Sequence, residues 1–250
     1  MTKLVPLTSL FFGFFRLLNL WPIPMTDQTI TTIQVALRWV HIMMGAVALL
    51  VGLVPLVVGK GGRLHIRAGQ LFYLSIAVAS FSGIVLGLWN GNLLLFFVGV
   101  LALWSVALGR FALAQSGLIG QSRILHLSCT IGFILVALGT AAYSLMVLHQ
   151  INIVLLVFLI VGLFSTLPEW RFLYGNAKGP EVRIGRHVGH TMGATIASWT
   201  AFLVVSNVFW VPILNWYVPT IVGSVLIAYW QRRIRTGTWK QVHFYQPRSK

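Results

Sequence analysis

The chain reads as an all-helical bundle that spans a membrane, a class predicted by three observations. Of its 250 residues 58% are hydrophobic and only 8% charged, with a mean hydropathy of +0.87, whereas soluble domains carry about a quarter charged residues. Apolar runs of about 20 residues, enough to cross a hydrocarbon core of about 30 Å at about 1.5 Å per residue, follow one another along the chain. These runs lack the strict alternation of barrel strands, so helices must satisfy their backbone groups.

Residues 1–30 are expected to lie on the membrane. Leu4 to Pro24 is apolar but broken by Arg16 and bounded by prolines, which suits an interfacial amphipathic helix with Phe and Leu in the acyl boundary. An eighth span there is the alternative; without a small-residue cleavage site, a cleaved signal peptide is not expected. Residues 31–231 then hold seven transmembrane helices, approximately Ile33–Val58, His65–Leu88, Leu93–Ala114, Ile124–Leu148, Ile151–Leu167, His187–Val211 and Ile213–Trp230. The cuts fall at Gly59 to Arg63, Trp89 to Asn92, Gln115 to Arg123, His149-Gln150, Pro168 to Arg186 and Pro212, where turn-forming and charged residues gather. Pro55 and Pro219 sit near span ends, where a missing backbone donor costs least. Residues 232–250 form a basic tail.

The charge of +15 arises from 18 Lys and Arg against 3 Asp and Glu. On a polar chain this would point to nucleic acid; here, position decides. Fifteen of the eighteen basic residues gather at one set of span ends, leaving Lys3, Arg16 and Arg38 at the other. Cationic flanks stay cytoplasmic, so the reading is a multi-pass protein of a bacterial inner membrane, carboxyl terminus inside and amino terminus outside. The tail, with Trp239, is then a flank drawn to anionic lipid by about 1 kcal/mol per basic residue, and no nucleic acid is expected as a partner. Cys129 is the one cysteine, which excludes an intrachain disulfide.

A charge inside hydrocarbon costs roughly 3 kcal/mol or more unless it is paired or wet, so polar residues within spans point to function. Asp27 precedes the first span, and Glu169 and Glu181 are assigned to the loop after the fifth. No intramembrane carboxylate is therefore expected, which argues against a carboxylate-driven proton pump, a membrane aspartyl protease and a prenyltransferase with magnesium on aspartates. Histidines carry whatever chemistry remains. His65, His126, His187 and His190 open helices at the basic end, and His187 heads a stripe of Thr191, Thr195 and Ser198. Small and hydroxyl residues line helix contacts, so these imidazoles are expected to point inward.

Three readings of this cluster compete. In one, His65, Arg67, Arg232, Arg233 and Arg235 contact lipid headgroups, with Arg123, Arg186 and His187 interfacial as well. In the second, His126 with His187 or His190 ligates one b-type haem, with Arg123 or Arg186 near its propionates. In the third, His126, His187, His190 and Glu181 bind a metal ion. At the other end, Arg38 and His41 share a packing face, as a snorkelling arginine and a carbonyl-bonded histidine or as an outer polar site.

The run His41-Ile-Met-Met-Gly45, then Lys60-Gly-Gly-Arg-Leu-His65-Ile-Arg67-Ala-Gly69-Gln-Leu-Phe-Tyr73, with Gly185-Arg-His-Val-Gly-His190-Thr-Met-Gly193 and Tyr229-Trp-Gln-Arg-Arg233 later on, resembles the bacterial multi-pass family called domain of unknown function 2306. His65 and Arg67 stand here where that family has adjacent His-Arg, and the resemblance implies no established activity. A looser similarity to cytochrome b561-type haem proteins implies haem near helix ends. The expectation is an accessory or interaction subunit of a larger membrane complex or homo-oligomer, not an enzyme, whose histidine cluster holds one haem. A small-molecule transporter and a metal-dependent membrane enzyme are the alternatives. Phe81, Phe96 and Trp104 are expected on an outward face.

Overall fold

A computed structural model describes residues 27–114, 121–149, 153–174 and 179–238. Most of the expected interfacial segment and of the basic tail lies outside them. The helices are α1 (Asp27–Val57), α2 (Arg63–Trp89), α3 (Leu93–Ala114), α4 (Gln121–Met146), α5 (Ile153–Ser165), α6 (Leu167–Tyr174), α7 (Pro180–Ser206) and α8 (Pro212–Arg235), with no strand among the described residues. Among the described residues seven stretches are long and apolar enough to cross a membrane, α5 and α6 together forming the fifth. The chain is a multi-pass helical bundle, as its composition predicts.

Local chemistry explains the joints. Lys60 folds back and donates to the carbonyls of Pro55 at 2.7 Å, Leu56 at 2.8 Å and Val58 at 3.2 Å, satisfying acceptors that the end of α1 leaves open. Between α2 and α3, Gly91 takes a left-handed φ of 66° and Asn92 Oδ1 accepts the Leu95 N–H at 3.0 Å, so the chain reverses within three residues. Beside this turn α2 and α3 touch backbone to backbone. A Cβ on Gly87 would lie 2.5 Å from the Phe96 nitrogen, and one on Gly99 2.9 Å from the Ser80 carbonyl oxygen. Small residues permit such contacts where lipid supplies no hydrophobic drive.

Helix α3 is the hub, packing on α2, α4, α5 and α7, while α7 also packs on α8 and α1. One face of α3, Phe97, Leu101, Trp104 and Leu108, meets Phe133 and Ala137 of α4 and Leu155 and Leu159 of α5. Another, Ala102 and Val106, meets Ala48, Phe72, Ile76 and Ala194 of α1, α2 and α7. These sets follow helical spacing. Outward faces stay apolar: Trp39, Met43, Leu50 and Val57 form an exposed stripe on α1 that a bilayer would cover. Phe81 is exposed as expected, but Trp104 is not; it is buried and stacked on Phe133 at 4.3 Å between centroids.

The stretch from Pro168 to Arg186 departs most from expectation. Read as a loop, it contains α6 and the start of α7, which begins at Pro180 and not near His187. The hydroxyls of Ser165 and Thr166 accept local duty by donating to the carbonyls of Gly162 and Leu163 at 2.6 and 2.7 Å, and Pro168 sits in the first turn of α6. Pro needs no N–H partner there. The chain bends and continues helical, and Glu169 turns inward.

Candidate functional site

Glu169 is fully buried in the fifth membrane stretch, which corrects the expectation that no carboxylate lies within a span. Its Oε1 accepts Arg186 Nε at 3.0 Å and His190 Nε2 at 2.7 Å, its Oε2 accepts Arg186 Nη2 at 2.5 Å, and His126 Nε2 lies against both Oε2 and, at 2.6 Å, Arg186 Nη2. Two N–H groups of Arg186 and one of His190 thus meet one carboxylate, with the His126 ring closing the cluster. Phe172 lies under the guanidinium at 3.7 Å from Cζ to the ring centroid, and Trp104 stands edge-on to His190 at 5.2 Å. Helices α4, α6 and α7 are tied through this one residue. The carboxylate of Glu169 is paired directly with the guanidinium of Arg186, which is how charges within a membrane stretch are tolerated.

The structure therefore brings together three of the five residues assigned to a haem site, His126, His190 and Arg186, around a carboxylate that was placed elsewhere. The Arg123 side chain lies outside the described residues. His187 points away from the cluster. Its Nδ1 donates to the Gly109 carbonyl at 3.0 Å, leaving the lone pair of the neutral ring on Nε2. Among the described residues no group of three or more His, Cys, Asp or Glu side chains is set out to hold a metal ion. Glu181, a proposed metal ligand, lies in the first turn of α7.

His187 instead lines a cavity of about 620 Å³ at the basic end. His65, Lys60 and Arg110 line it too, so four basic side chains come from α2, α3, α7 and the α1–α2 link, and no Asp or Glu is among the lining residues. The deeper wall is apolar: Gly52, Phe72, Val106 and Met192 contribute, together with Thr191 and Thr195. Those threonine hydroxyls donate to the carbonyls of His187 and Thr191 at 2.6 and 2.9 Å, and Ser198 does the same to Ala194 at 2.8 Å. Their protons are thus spent within α7, which leaves the expected polar stripe only acceptor lone pairs. His65 Nδ1 is buried with no hydrogen-bond partner among the described residues. Lys60 sits 5.0 Å from the centre of the Trp230 ring, and burial pushes its ammonium below the usual lysine range.

The remaining expected residues are structural or peripheral. His41 Nδ1 donates to the Ala79 carbonyl at 2.8 Å, the helix-to-helix bond anticipated for it, while Arg38 is exposed. Arg67 and Arg232 are exposed, Arg235 donates to the Gln231 carbonyl at 3.4 Å, and Arg233 donates to Tyr229 Oη at 3.0 Å and lies over the Trp230 ring. His65, expected at the headgroups, lines the cavity.

Glu169 and Arg110 are what sequence reasoning passed over. A signal for Glu169 existed: Ile151 to Leu167 spans only about 25 Å at 1.5 Å per residue, short of a core of about 30 Å, which favours a helix that continues through Glu169. Compared with models of known families, with characterised proteins and with solved structures, the chain matches none.

Proposed function

We propose that this protein binds an amphiphilic anion within the membrane, holding an apolar body in the cavity between α1, α2, α3, α7 and α8 and a negatively charged head at its basic end. One observation carries the reading: a cavity of about 620 Å³ lined by the basic side chains Lys60, His65, Arg110 and His187 and by no carboxylate, with apolar residues in its depth. Ligand pockets of about 300–1,000 Å³ with apolar walls and a few convergent polar groups are the usual form of a small-molecule site. A hydrogen-bond acceptor would find no free hydroxyl proton at Thr191 or Thr195. An internal volume of this size favours handling a small molecule over a purely structural subunit, the reading that composition first suggested.

Purification in mild detergent followed by native mass spectrometry tests this. The expected result is an added mass that organic extraction identifies as an acidic amphiphile. Gly69 lines the cavity and a Cβ there would meet nothing within 4 Å, so Gly69→Trp fills the space without a backbone clash. It should abolish the added mass while the protein remains folded. A bare mass for the native chain overturns the proposal.

A second reading keeps the haem but moves it. His65 and His187, on α2 and α7, line one cavity, and each ring has a nitrogen uncommitted among the described residues. Paired imidazoles would hold a b-type haem with Arg110 near its propionates, and the bound group would supply electron transfer. The visible spectrum separates the readings: a Soret band lost in both His65→Ala and His187→Ala but kept in His126→Ala supports haem here, and no band removes it.

A further inference from the structure

We infer that the ligand is an acidic lipid of the surrounding leaflet, which enters sideways between the basic ends of α2 and α3, and that Arg110 selects its charged head. This rests on the amphiphile-binding reading above. The lining residues that are also exposed are Ile66 and Gln70 of α2 and Arg110 and Leu113 of α3. All four lie on these two helices, so the opening is between them.

The sequence explains why the pair parts there. At the opposite end Gly87 and Gly99 bring the α2 and α3 backbones into contact. Toward the basic end the glycines serve other purposes. A Cβ on Gly109 of α3 would meet Thr191 of α7 at 2.8 Å, so α3 is committed to α7, and Gly69 of α2 faces open space. Two helices joined at one end and drawn apart at the other leave a wedge. Its rim carries Ile66 and Leu113 at the boundary and, about one turn deeper, Gln70 and Arg110, whose side chain is long enough to meet a headgroup from there while an acyl chain continues inward.

The cavity has the polarity of the leaflet beside it. Basic groups lie at the membrane boundary, and Gly52, Phe72, Val106 and Thr195 lie further in. A lipid can therefore slide in without turning over. Among the cations, Lys60 already directs its ammonium to three carbonyls. Arg110 is exposed and makes no hydrogen bond or ion pair among the described residues. It is the cation with donors to offer, and guanidinium suits a phosphate or carboxylate head.

The test uses the full chain in lipid nanodiscs containing a photoactivatable acyl probe, carried either by phosphatidylglycerol or by phosphatidylcholine. Crosslinks are mapped by mass spectrometry. Phosphatidylglycerol is expected to label α2 and α7 peptides lining the cavity about fivefold more than phosphatidylcholine, the factor for one basic residue near the surface. Arg110→Gln should equalise the probes and Arg110→Lys should restore most of the difference. Ile66→Trp with Leu113→Trp should block labelling from the leaflet while the variant unfolds at the temperature of the native chain. Equal labelling by both lipids in the native chain overturns the choice of head. Undiminished lipid labelling in the tryptophan variant overturns the lateral route. If neither lipid labels the cavity of the native chain, and native mass spectrometry shows a bare chain, the underlying amphiphile reading falls instead.

Discussion

Arg186 holds Glu169 in a two-pronged fork, Nε on Oε1 at 3.0 Å and Nη2 on Oε2 at 2.5 Å, with both residues buried. Removing one partner of a buried pair leaves the other charge unpaired, which costs about 3–5 kcal/mol. Glu169→Gln and Arg186→Met should each lower stability by that order in detergent-solubilised thermal unfolding. The double variant should lose clearly less than their sum, because it removes both charges together. Additive losses would mean that the two residues are not energetically coupled.

Glycine contacts predict a contrast within a single residue type. At Gly87 an added methyl would press on the backbone of Phe96 at 2.5 Å, whereas at Gly45 nothing lies within 4 Å. Gly87→Ala should destabilise by about 1–3 kcal/mol through overpacking. Gly45→Ala should be neutral or stabilising by up to about 1 kcal/mol, since alanine is the better helix former. Melting temperatures of the two variants measured side by side check this.

Lys60 sets a pH dependence. Burial lowers its pKa below the usual lysine value, so between the lowered value and about 10.4 the unfolded chain holds a proton that the folded chain has released. Stability from this group therefore rises with pH across that window, and its charge is least favourable below it. Melting curves of the native chain and Lys60→Met at a series of pH values above 8 should show the difference moving in favour of the native chain. A flat difference would mean that the ammonium is not desolvated.

His41 joins α1 to α2 through the Ala79 carbonyl at 2.8 Å, and this site is remote from the cavity lining. His41→Leu should cost about 1 kcal/mol, the net worth of one such bond. Bound amphiphile, measured by native mass spectrometry, should be unchanged. Loss of the ligand in this variant would place the outer polar residues in the binding function.

How much of the site could be read in advance depended on how rare its residues are. In a chain with 8% charged residues, His126, His190 and Arg186 drew notice because each must find a partner inside the bundle, and they do. Glu169 was passed over because Pro168 was taken as the end of a span, when proline in a first helical turn interrupts nothing. The assumption that His187 and His190 act together failed for a geometric reason. Three residues along a helix turn a side chain by about 300°, which suffices here to put one imidazole on Glu169 and the other on the cavity.

By itself the sequence determined that the chain crosses a membrane, roughly where each span runs, and which end is basic. These properties follow from length and transfer free energy, which act on contiguous residues. Only the tertiary structure decided which polar groups meet. Glu169 gathers partners from α4 and α7, and the cavity collects Lys60, His65, Arg110 and His187 from four segments. Such meetings depend on where small residues let helices touch and where they part. Gly87 and Gly99 close one end of the α2–α3 pair, and Gly109 commits the other end of α3 to α7. Packing of that kind is a property of pairs of helices, and no single stretch of sequence contains it.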